Sequence, residues 1–173
     1  MIEIAITGAG GRMGKTLIQA VSFESTTELS GALERPGHDL LKKDAGIIAG
    51  IEKLDIKITD STEKAFEDAE VIIDFSAPEA TMHNLESIAD LGKAIVIGTT
   101  GFSHHHRDRI KELSKECQIV LAPNMSIGVN LLLKLVEDTA SVLGDAYDVE
   151  IIESHHRFKK DAPSGTALRI AEV

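Results

Sequence analysis

Short apolar runs alternate with helical patterns along most of this 173-residue chain. The runs Val71-Ile-Ile73 and Ile95-Val-Ile97 are apolar without alternation, which is typical of strands buried on both faces. Strands that alternate with helices predict a parallel sheet covered on both sides, so we expect an α/β fold, a doubly wound parallel sheet of the Rossmann type. The sequence predicts strands at 2–7, 28–33, 56–59, 71–75, 94–97, 118–121 and 148–153, and helices at 13–23, 61–69, 79–91, 103–117 and 129–143.

The net negative charge of the chain limits which binding partners we expect. The chain has 28 acidic and 18 basic residues, a net charge of −10, which repels nucleic acid and anionic membranes, so we expect neither as a partner. Cys117 has no second cysteine for a disulfide and no metal-ligand companions. No signal peptide precedes Ile2, and no apolar run approaches the ~18 residues that cross a bilayer. We therefore expect a cytoplasmic protein.

A glycine-rich turn, Gly8-Ala-Gly-Gly-Arg-Met-Gly14, joins the first predicted strand to the first helix. It matches the first half of the dinucleotide motif G-x-G-x-x-G, but Met13 stands in place of the third glycine. Glycines let a pyrophosphate approach the free N–H groups of the following helix. A tight strand–helix turn that binds no ligand is an alternative interpretation. A P-loop is another, although Ala9 stands where its first glycine belongs.

An acidic and a basic residue follow the second predicted strand. Glu34 comes 20 positions after Gly14, where a carboxylate meets the adenosine ribose hydroxyls in dinucleotide-binding folds. Arg35 is next and could hold a 2′-phosphate. The pair predicts NADH or NADPH as the cofactor without ranking the two.

Two later turns lie at the ends of predicted strands: Gly98-Thr-Thr-Gly101 and Ala122-Pro-Asn-Met-Ser126. Because ligands of open parallel sheets bind beyond the carboxyl ends of the strands, both turns are candidates to line the nicotinamide side. Taken alone, each turn is also compatible with an ordinary loop.

Residues 153–167 concentrate groups suited to proton transfer and anion binding. His155 and His156 can exchange protons near neutral pH, and Lys159 could donate a proton or hold a carboxylate. Ser164-Gly-Thr166 opens a helix and offers hydroxyls and free N–H groups as an anion site. A solvated basic loop before a capped helix is the alternative.

A metal site is not expected. No further cysteine, histidine or acidic residue has zinc-ligand spacing to His155 and His156. A second cluster, His104-His-His106, begins a helix, where consecutive residues do not face one ligand, so we interpret it as a solvated face.

The strand–helix rhythm changes near Ser126, where a long apolar helix follows. We therefore predict a dinucleotide-binding domain over 1–126 and the start of an α+β substrate domain over 127–173. The second part has only about 47 residues, too few for an independent core without staples.

Together these segments resemble the 4-hydroxy-tetrahydrodipicolinate reductase family, long called dihydrodipicolinate reductase, of bacterial lysine and diaminopimelate synthesis. The family's signature is matched by Glu-x-His-His-x-x-Lys-x-Asp-Ala-Pro-Ser-Gly-Thr-Ala at 153–167. The other matching segments follow the family's order: Gly8-Ala-Gly-Gly-Arg-Met-Gly14, Glu34-Arg35, Gly98-Thr-Thr-Gly-Phe102 and Asn124-Met-Ser-Ile-Gly-Val-Asn130. The resemblance covers residues 2–173, and argues against a different reductase with the same cofactor fold.

The resemblance implies roles for named residues. His155 stands at the position of the proton donor and acceptor, and Lys159 at that of the proton-donating lysine. The substrate contacts would come from His156, Ser164, Gly165 and Thr166. The pyrophosphate would lie on Gly8, Ala9, Gly10, Gly11, Arg12 and Met13, and the adenosine ribose and its 2′-substituent on Glu34 and Arg35. The nicotinamide side would be flanked by Gly98, Thr99, Thr100, Ala122, Pro123, Asn124 and Met125.

The resemblance also implies the reaction: a nicotinamide hydride reduces a cyclic imine with two carboxylates, with loss of water. The resemblance also implies that family members continue well beyond position 173, so we expect this chain to be a C-terminally truncated reductase. Family members form homotetramers through a sheet in that further part. A nucleotide-binding module without turnover is the alternative function.

Overall fold

The computed structural model describes residues 1–157, 159 and 162–173. Three residues of the predicted motif segment 153–167, namely Phe158, Lys160 and Asp161, lie outside the described residues. The chain divides into two compact units, Met1–Leu121 and Ala122–Val173, each of which is described by itself. The boundary predicted from sequence follows Ser126.

The first unit is built on a parallel five-stranded sheet, as predicted. The strands stand in the order β2-β1-β3-β4-β5, and every adjacent pair runs parallel. From β1 the chain moves outward to β2 and then crosses back to β3 on the other side. The crevice between the ends of β1 and β3 is therefore the topological switch point, where open α/β sheets bind ligands. The strands are β1 (Ile2–Thr7), β2 (Thr27–Leu33), β3 (Val71–Asp74), β4 (Ala94–Ile97) and β5 (Ile119–Leu121).

Helices bury both faces of this sheet, which confirms the doubly wound arrangement. The helices of this unit are α1 (Arg12–Phe23), α2 (Ala45–Ala49), α3 (Thr62–Phe66), α4 (Pro78–Asp90) and α5 (His104–Leu113). One apolar cluster joins Ile4 and Ile6 of β1 to Ile18 of α1. The other joins Ile72 of β3 to Leu85 of α4. Successive strand side chains point to opposite faces, so a run of aliphatic residues fills both cores.

Several predicted elements of the first unit are shorter than expected or absent. The predicted helices 61–69 and 103–117 contract to α3 and α5, and residues 56–59 form only isolated bridges, such as Leu33 with Thr59. Helix α2 was not predicted. Asp44 caps its first turn and Gly50 closes it at φ +82°, but five residues are too few for a visible helical period.

The second unit contains a long helix, α6 (Ile127–Leu143), a single 3-10 turn, Gly144–Ala146, and a short helix, α7 (Gly165–Glu172). The strand predicted over 148–153 is wrong: these residues are irregular, because within the described part of the chain no neighbouring strand pairs with them. Ile152 is 91% exposed. Helix α6 is apolar, yet none of its residues is buried.

Candidate functional site

The glycine turn lies at the carboxyl end of β1 and leads directly into α1. Gly8 adopts φ +62°, a left-handed conformation that favours glycine, and its carbonyl accepts from the Gly11 N–H at 2.9 Å. A methyl group on Gly14 would overlap the Gly8 carbonyl and lie 2.8 Å from Cα of Ala9. The helix is therefore seated directly against the turn.

The amino terminus of α1 is suited to an anion. Its N-cap residue is Gly11, so no side chain accepts from the first turn, and the N–H groups at a helix start have no partner within the helix. Together with the macrodipole, such N–H groups attract phosphate. The residues present therefore fit the pyrophosphate of a dinucleotide.

Glu34, just after β2, lies against the glycine turn. Its Oε2 accepts from the Gly10 N–H at 3.0 Å and its Oε1 from its neighbour Arg35 at 2.9 Å. A methyl group on Gly10 would come 3.1 Å from Glu34 Oε2 and 2.8 Å from Cδ1 of Leu40. The structure thus brings together Gly10 and Glu34, which are 24 positions apart. Arg35 is exposed.

A polar cluster at the end of β3 was not predicted from the sequence. Asp74 is fully buried, and its Oδ1 accepts four hydrogen bonds. The donors are the Ser76 N–H (3.0 Å), the Ser76 hydroxyl (2.7 Å), the Thr81 hydroxyl (3.0 Å) and the Thr99 hydroxyl (2.9 Å). The cluster ties the loop after β3 to the loop after β4. The available signal was the carboxylate that ends the otherwise aliphatic run Val71–Asp74.

This cluster lies at the switch point. Asp74 stands opposite Thr7 in the register of β3 against β1. Within the described residues, Asp74 Oδ2 and Thr7 Oγ1 are both buried without a hydrogen-bond partner. Such groups are rare in folded proteins, where most buried polar atoms are paired.

The loop after β4 carries three of the predicted residues. Thr99 is buried in the Asp74 cluster and Thr100 is exposed. A side chain on Gly98 would overlap the ring of Phe75. Gly98 therefore lets that ring lie against the backbone of this loop.

In the second unit, the 122–126 turn meets the start of α7. The Asn124 side-chain amide donates to Thr166 Oγ1 at 3.4 Å, and its oxygen accepts from the Ser126 N–H at 2.9 Å. Gly165 packs beside Pro123, where an added methyl group would find Cβ at 3.9 Å. Ala122 is half-buried and Met125 is exposed. Asn124 and Thr166, which are 42 positions apart, thus meet at the start of α7.

Glu153 links the histidine segment to that same terminus. Its carboxylate accepts from the Ser164 N–H at 2.9 and 3.2 Å, and its Oε2 lies 2.8 Å from His155 Nε2. The hydrogen bonds from Ser164, followed by the one from His155, lower the pKa of Glu153 to about 2. Ser164 is buried and caps α7 by accepting from Ala167 at 3.0 Å, as the sequence predicted.

His156 and Lys159 lie on the turn that continues from His155. The Lys159 N–H donates to the His156 carbonyl at 3.1 Å. His156 is exposed and Lys159 is half-buried. The second unit therefore presents imidazole, ammonium and helix N–H groups on one short segment.

The other histidine cluster is only partly a solvated face. His104 and His105 are exposed, but His106 is half-buried and packs edge-on against Phe102 at 6.1 Å. Among the described residues, no group of three histidine, cysteine or acidic side chains could hold a metal ion. Nor is any helix in that part of the chain long and apolar enough to cross a membrane.

Comparison with known proteins identifies relatives of the whole chain. The chain is 51% identical to a 4-hydroxy-tetrahydrodipicolinate reductase of Geotalea daltonii and 53% identical to one of Hahella chejuensis. Each match covers 100% of this chain and 65% of the relative. The chain thus spans about two thirds of the length of the curated relatives it matches.

A solved relative shares the fold. The dipicolinate-bound dihydrodipicolinate reductase of Paenisporosarcina sp. TG-14 superposes with a TM-score of 0.74 at 29% identity, covering 99% of this chain and 64% of that one.

Family profiles cover almost the entire sequence. The one described as "Dihydrodipicolinate reductase, N-terminus" matches residues 2–125, and the one described as "Dihydrodipicolinate reductase, C-terminus" matches residues 128–173. The chain belongs to the dihydrodipicolinate reductase family.

Proposed function

We propose that this chain carries the nucleotide-binding unit and the proton-transfer segment of an enzyme that reduces 4-hydroxy-tetrahydrodipicolinate to tetrahydrodipicolinate with NADH or NADPH. The observation that carries the proposal is the contact of His155 with Glu153, whose carboxylate also holds the start of α7. It supports the proposal because one carboxylate contacts both an imidazole that could exchange a proton and a helix terminus suited to an anion, and the reaction needs both.

Proton delivery is the role proposed for His155 and Lys159. Reduction of the cyclic imine creates an electron pair on the substrate that must take up a proton, and a positioned side chain contributes about 10²–10⁴-fold to such a step. His155 is partly exposed, with 38% of its side chain accessible, so it can exchange protons with both substrate and water.

Carboxylate binding is the role proposed for the start of α7 and for His156. The N–H groups of Gly165 and Thr166 open that helix and stabilise an anion through hydrogen bonds and the macrodipole. The Paenisporosarcina relative was solved with dipicolinate, a dicarboxylate, and that chemistry agrees with this role.

The first unit is proposed to bind the nicotinamide dinucleotide, which supplies the hydride when bound. The backbone over 8–13 would hold the pyrophosphate, and Glu34 the ribose hydroxyls, for which its Gly10 contact places the carboxylate beside the turn. Arg35, exposed beside it, would meet a 2′-phosphate. The loops over 98–100 and 122–125 would flank the nicotinamide.

A nucleotide-binding module without turnover is the second candidate. It is favoured by the exposure of α6, which has no buried residue, because a loosely packed second unit could not hold its catalytic groups in place. A cytoplasmic homotetramer is proposed for the complete reductase, on the family resemblance alone.

Two assays distinguish the candidates. Calorimetric titration with NADH and NADPH measures binding, and loss of NAD(P)H absorbance with freshly generated substrate measures turnover. Both are run on this chain and on a chimaera that adds the remaining segment of the Hahella chejuensis relative. Binding with turnover by the chimaera supports the reductase, whereas binding without turnover by either supports the module.

Variants test the proposed residues within the active form. His155→Gln and Lys159→Gln should each lower kcat by about 10²-fold or more, with little change in nucleotide affinity. His83→Gln, an exposed histidine on α4, serves as the matched control. Unchanged turnover in both His155→Gln and Lys159→Gln would refute the assignment.

A further inference from the structure

Glu153 makes two contacts through one carboxylate. Oε1 accepts from the Ser164 N–H at 2.9 Å, and Oε2 faces His155 Nε2 at 2.8 Å. Only 26% of its side chain is exposed. An ionised carboxylate offers acceptors and no donors, so the ring nitrogen opposite it must carry a hydrogen.

We propose that Glu153 is a positioning residue that holds His155 with Nε2 protonated and thereby assigns the proton exchange with the substrate to Nδ1. This inference rests on the proposed function, because it deepens the role given there to His155. A histidine has two distinct ring nitrogens, and the partner of one decides which state the other adopts.

The proton for the substrate comes from the charged His155 ring, in which both nitrogens carry hydrogen. The Nδ1–H bond breaks and leaves its electron pair on Nδ1, while the proton bonds to the electron pair that reduction has created on the substrate. The neutral ring keeps its Nε2–H bond to Glu153, and water returns a proton to Nδ1 before the next turnover.

The same carboxylate joins this step to substrate binding. Glu153 fixes the Ser164 N–H, and Ser164 caps α7, whose first N–H groups are the proposed carboxylate site. One side chain therefore positions both the proton donor and the anion site. A base oriented by a third group is a recurring arrangement in enzymes that move protons through histidine.

Glu153→Gln separates the positioning role from simple helix capping. The single amide oxygen of glutamine can accept from Ser164, which leaves the NH₂ group facing the ring of His155. His155 Nε2 must then accept a hydrogen bond from this NH₂ group, so the neutral ring should switch to the Nδ1–H form. The helix cap is retained while the tautomer reverses.

The experiment is nitrogen-15 NMR of the histidine rings in the whole chain, at a pH where the ring is neutral. The His155 signal is identified by its disappearance in His155→Gln. We expect Nε2–H in the unaltered chain, Nδ1–H in Glu153→Gln, and Nε2–H in Glu150→Gln, which changes an exposed glutamate on the same segment. Nδ1–H in the unaltered chain would overturn the proposal without any need for a variant.

Turnover by the chimaera supplies the second readout. Glu153→Gln should lower kcat at least about tenfold and leave nucleotide affinity unchanged, while Glu153→Asp, which keeps the charge, should restore part of the loss. Full activity in Glu153→Gln would overturn the proposal. If NMR shows the expected tautomer but the chimaera has no turnover, the proposed function is refuted and the positioning role of Glu153 is not. The two results are separable because the ring state is measured without substrate.

Discussion

Replacing Asp74 with alanine should destabilise the first unit and loosen two of its loops. Asp74 Oδ1 accepts from the Ser76 N–H, the Ser76 hydroxyl, Thr81 and Thr99, and the residue is fully buried. Without the carboxylate, the loop after β3 and the loop after β4 lose their common acceptor.

The size of the stability loss in Asp74→Ala depends on which of the four donors still has an acceptor. The Ser76 N–H keeps Thr99 Oγ1 at 3.0 Å, and the Thr81 hydroxyl keeps the same oxygen at 3.1 Å. The Thr99 hydroxyl loses its acceptor and the Ser76 hydroxyl keeps only the longer contact with Thr81 Oγ1 at 3.4 Å, at about 1.5–3 kcal/mol for each lost bond to a charged group. Among the described residues no cation pairs with this buried carboxylate, so its removal also relieves a desolvation cost, and we expect a net loss of stability of about 2–4 kcal/mol.

Asp74→Asn tests whether bonding or desolvation dominates. Asparagine keeps the acceptor oxygen and the volume but removes the charge, so we expect a smaller loss of about 1–2 kcal/mol. If the desolvation cost of the carboxylate exceeded the strength of its four hydrogen bonds, Asp74→Asn would stabilise the protein. Asp108→Asn, at an exposed position on α5, is the control and should change stability little.

Urea unfolding followed by circular dichroism measures these differences, since the chain has no tryptophan. With a slope of about 1–3 kcal/mol per molar urea, the midpoint of Asp74→Ala should fall by about 1–2 M. A midpoint equal to that of Asp108→Asn would refute the reasoning, because it would mean that the four bonds contribute no net stability.

Three further outcomes are expected. Gly14→Ala should abolish measurable dinucleotide binding in calorimetry, because its methyl group would overlap the Gly8 carbonyl, and unchanged affinity would contradict the seating of α1 on the turn. The pKa of Glu153 is lowered from 4.5 to about 2, so its stabilising contact with Ser164 should be complete above about pH 4.5 and lost as the pH falls through about 2. The NMR signal of the Ser164 amide, which donates to Glu153, should follow that window, and loss already complete at pH 4.5 would contradict the prediction. Burial, with a smaller effect of the adjacent charge of Glu116, raises the pKa of Cys117, so iodoacetamide should label the folded chain far more slowly than the urea-unfolded chain.

The parallel sheet was predictable because each strand is a local signal. Ala94–Ile97 is aliphatic throughout, Val71–Asp74 is aliphatic up to its last residue, and a helix separates the two. The caps of α5 and α6 were also predictable, since Ser103 and Ser126 stand directly before the helices they cap. Local chemistry of this kind is visible in the order of residues.

The strand predicted at 148–153 was wrong for the opposite reason. A β-strand is stable only when another strand satisfies its backbone groups, and no segment of the described chain provides that partner. Apolar composition alone therefore could not decide the conformation of Val149 or Ile152, both of which are exposed. Helix α2 escaped prediction because its stability depends on Asp44 and Gly50 at its two ends rather than on periodicity.

The sequence by itself determined the alternation of strands and helices, the glycine turn and the chemical character of residues 153–167, because these depend on neighbours along the chain. Only the tertiary structure decided that Glu34 meets Gly10, that Asp74 joins the loops after β3 and β4, and that Glu153 binds both His155 and Ser164. Gly10 and Glu34, Asp74 and Thr99, and Glu153 and Ser164 are distant in the chain, and only the fold brings each pair within hydrogen-bond distance. The role of a buried carboxylate depends on its hydrogen-bond donors. Those donors lie on elements that pack beside it, so the sequence alone does not identify them.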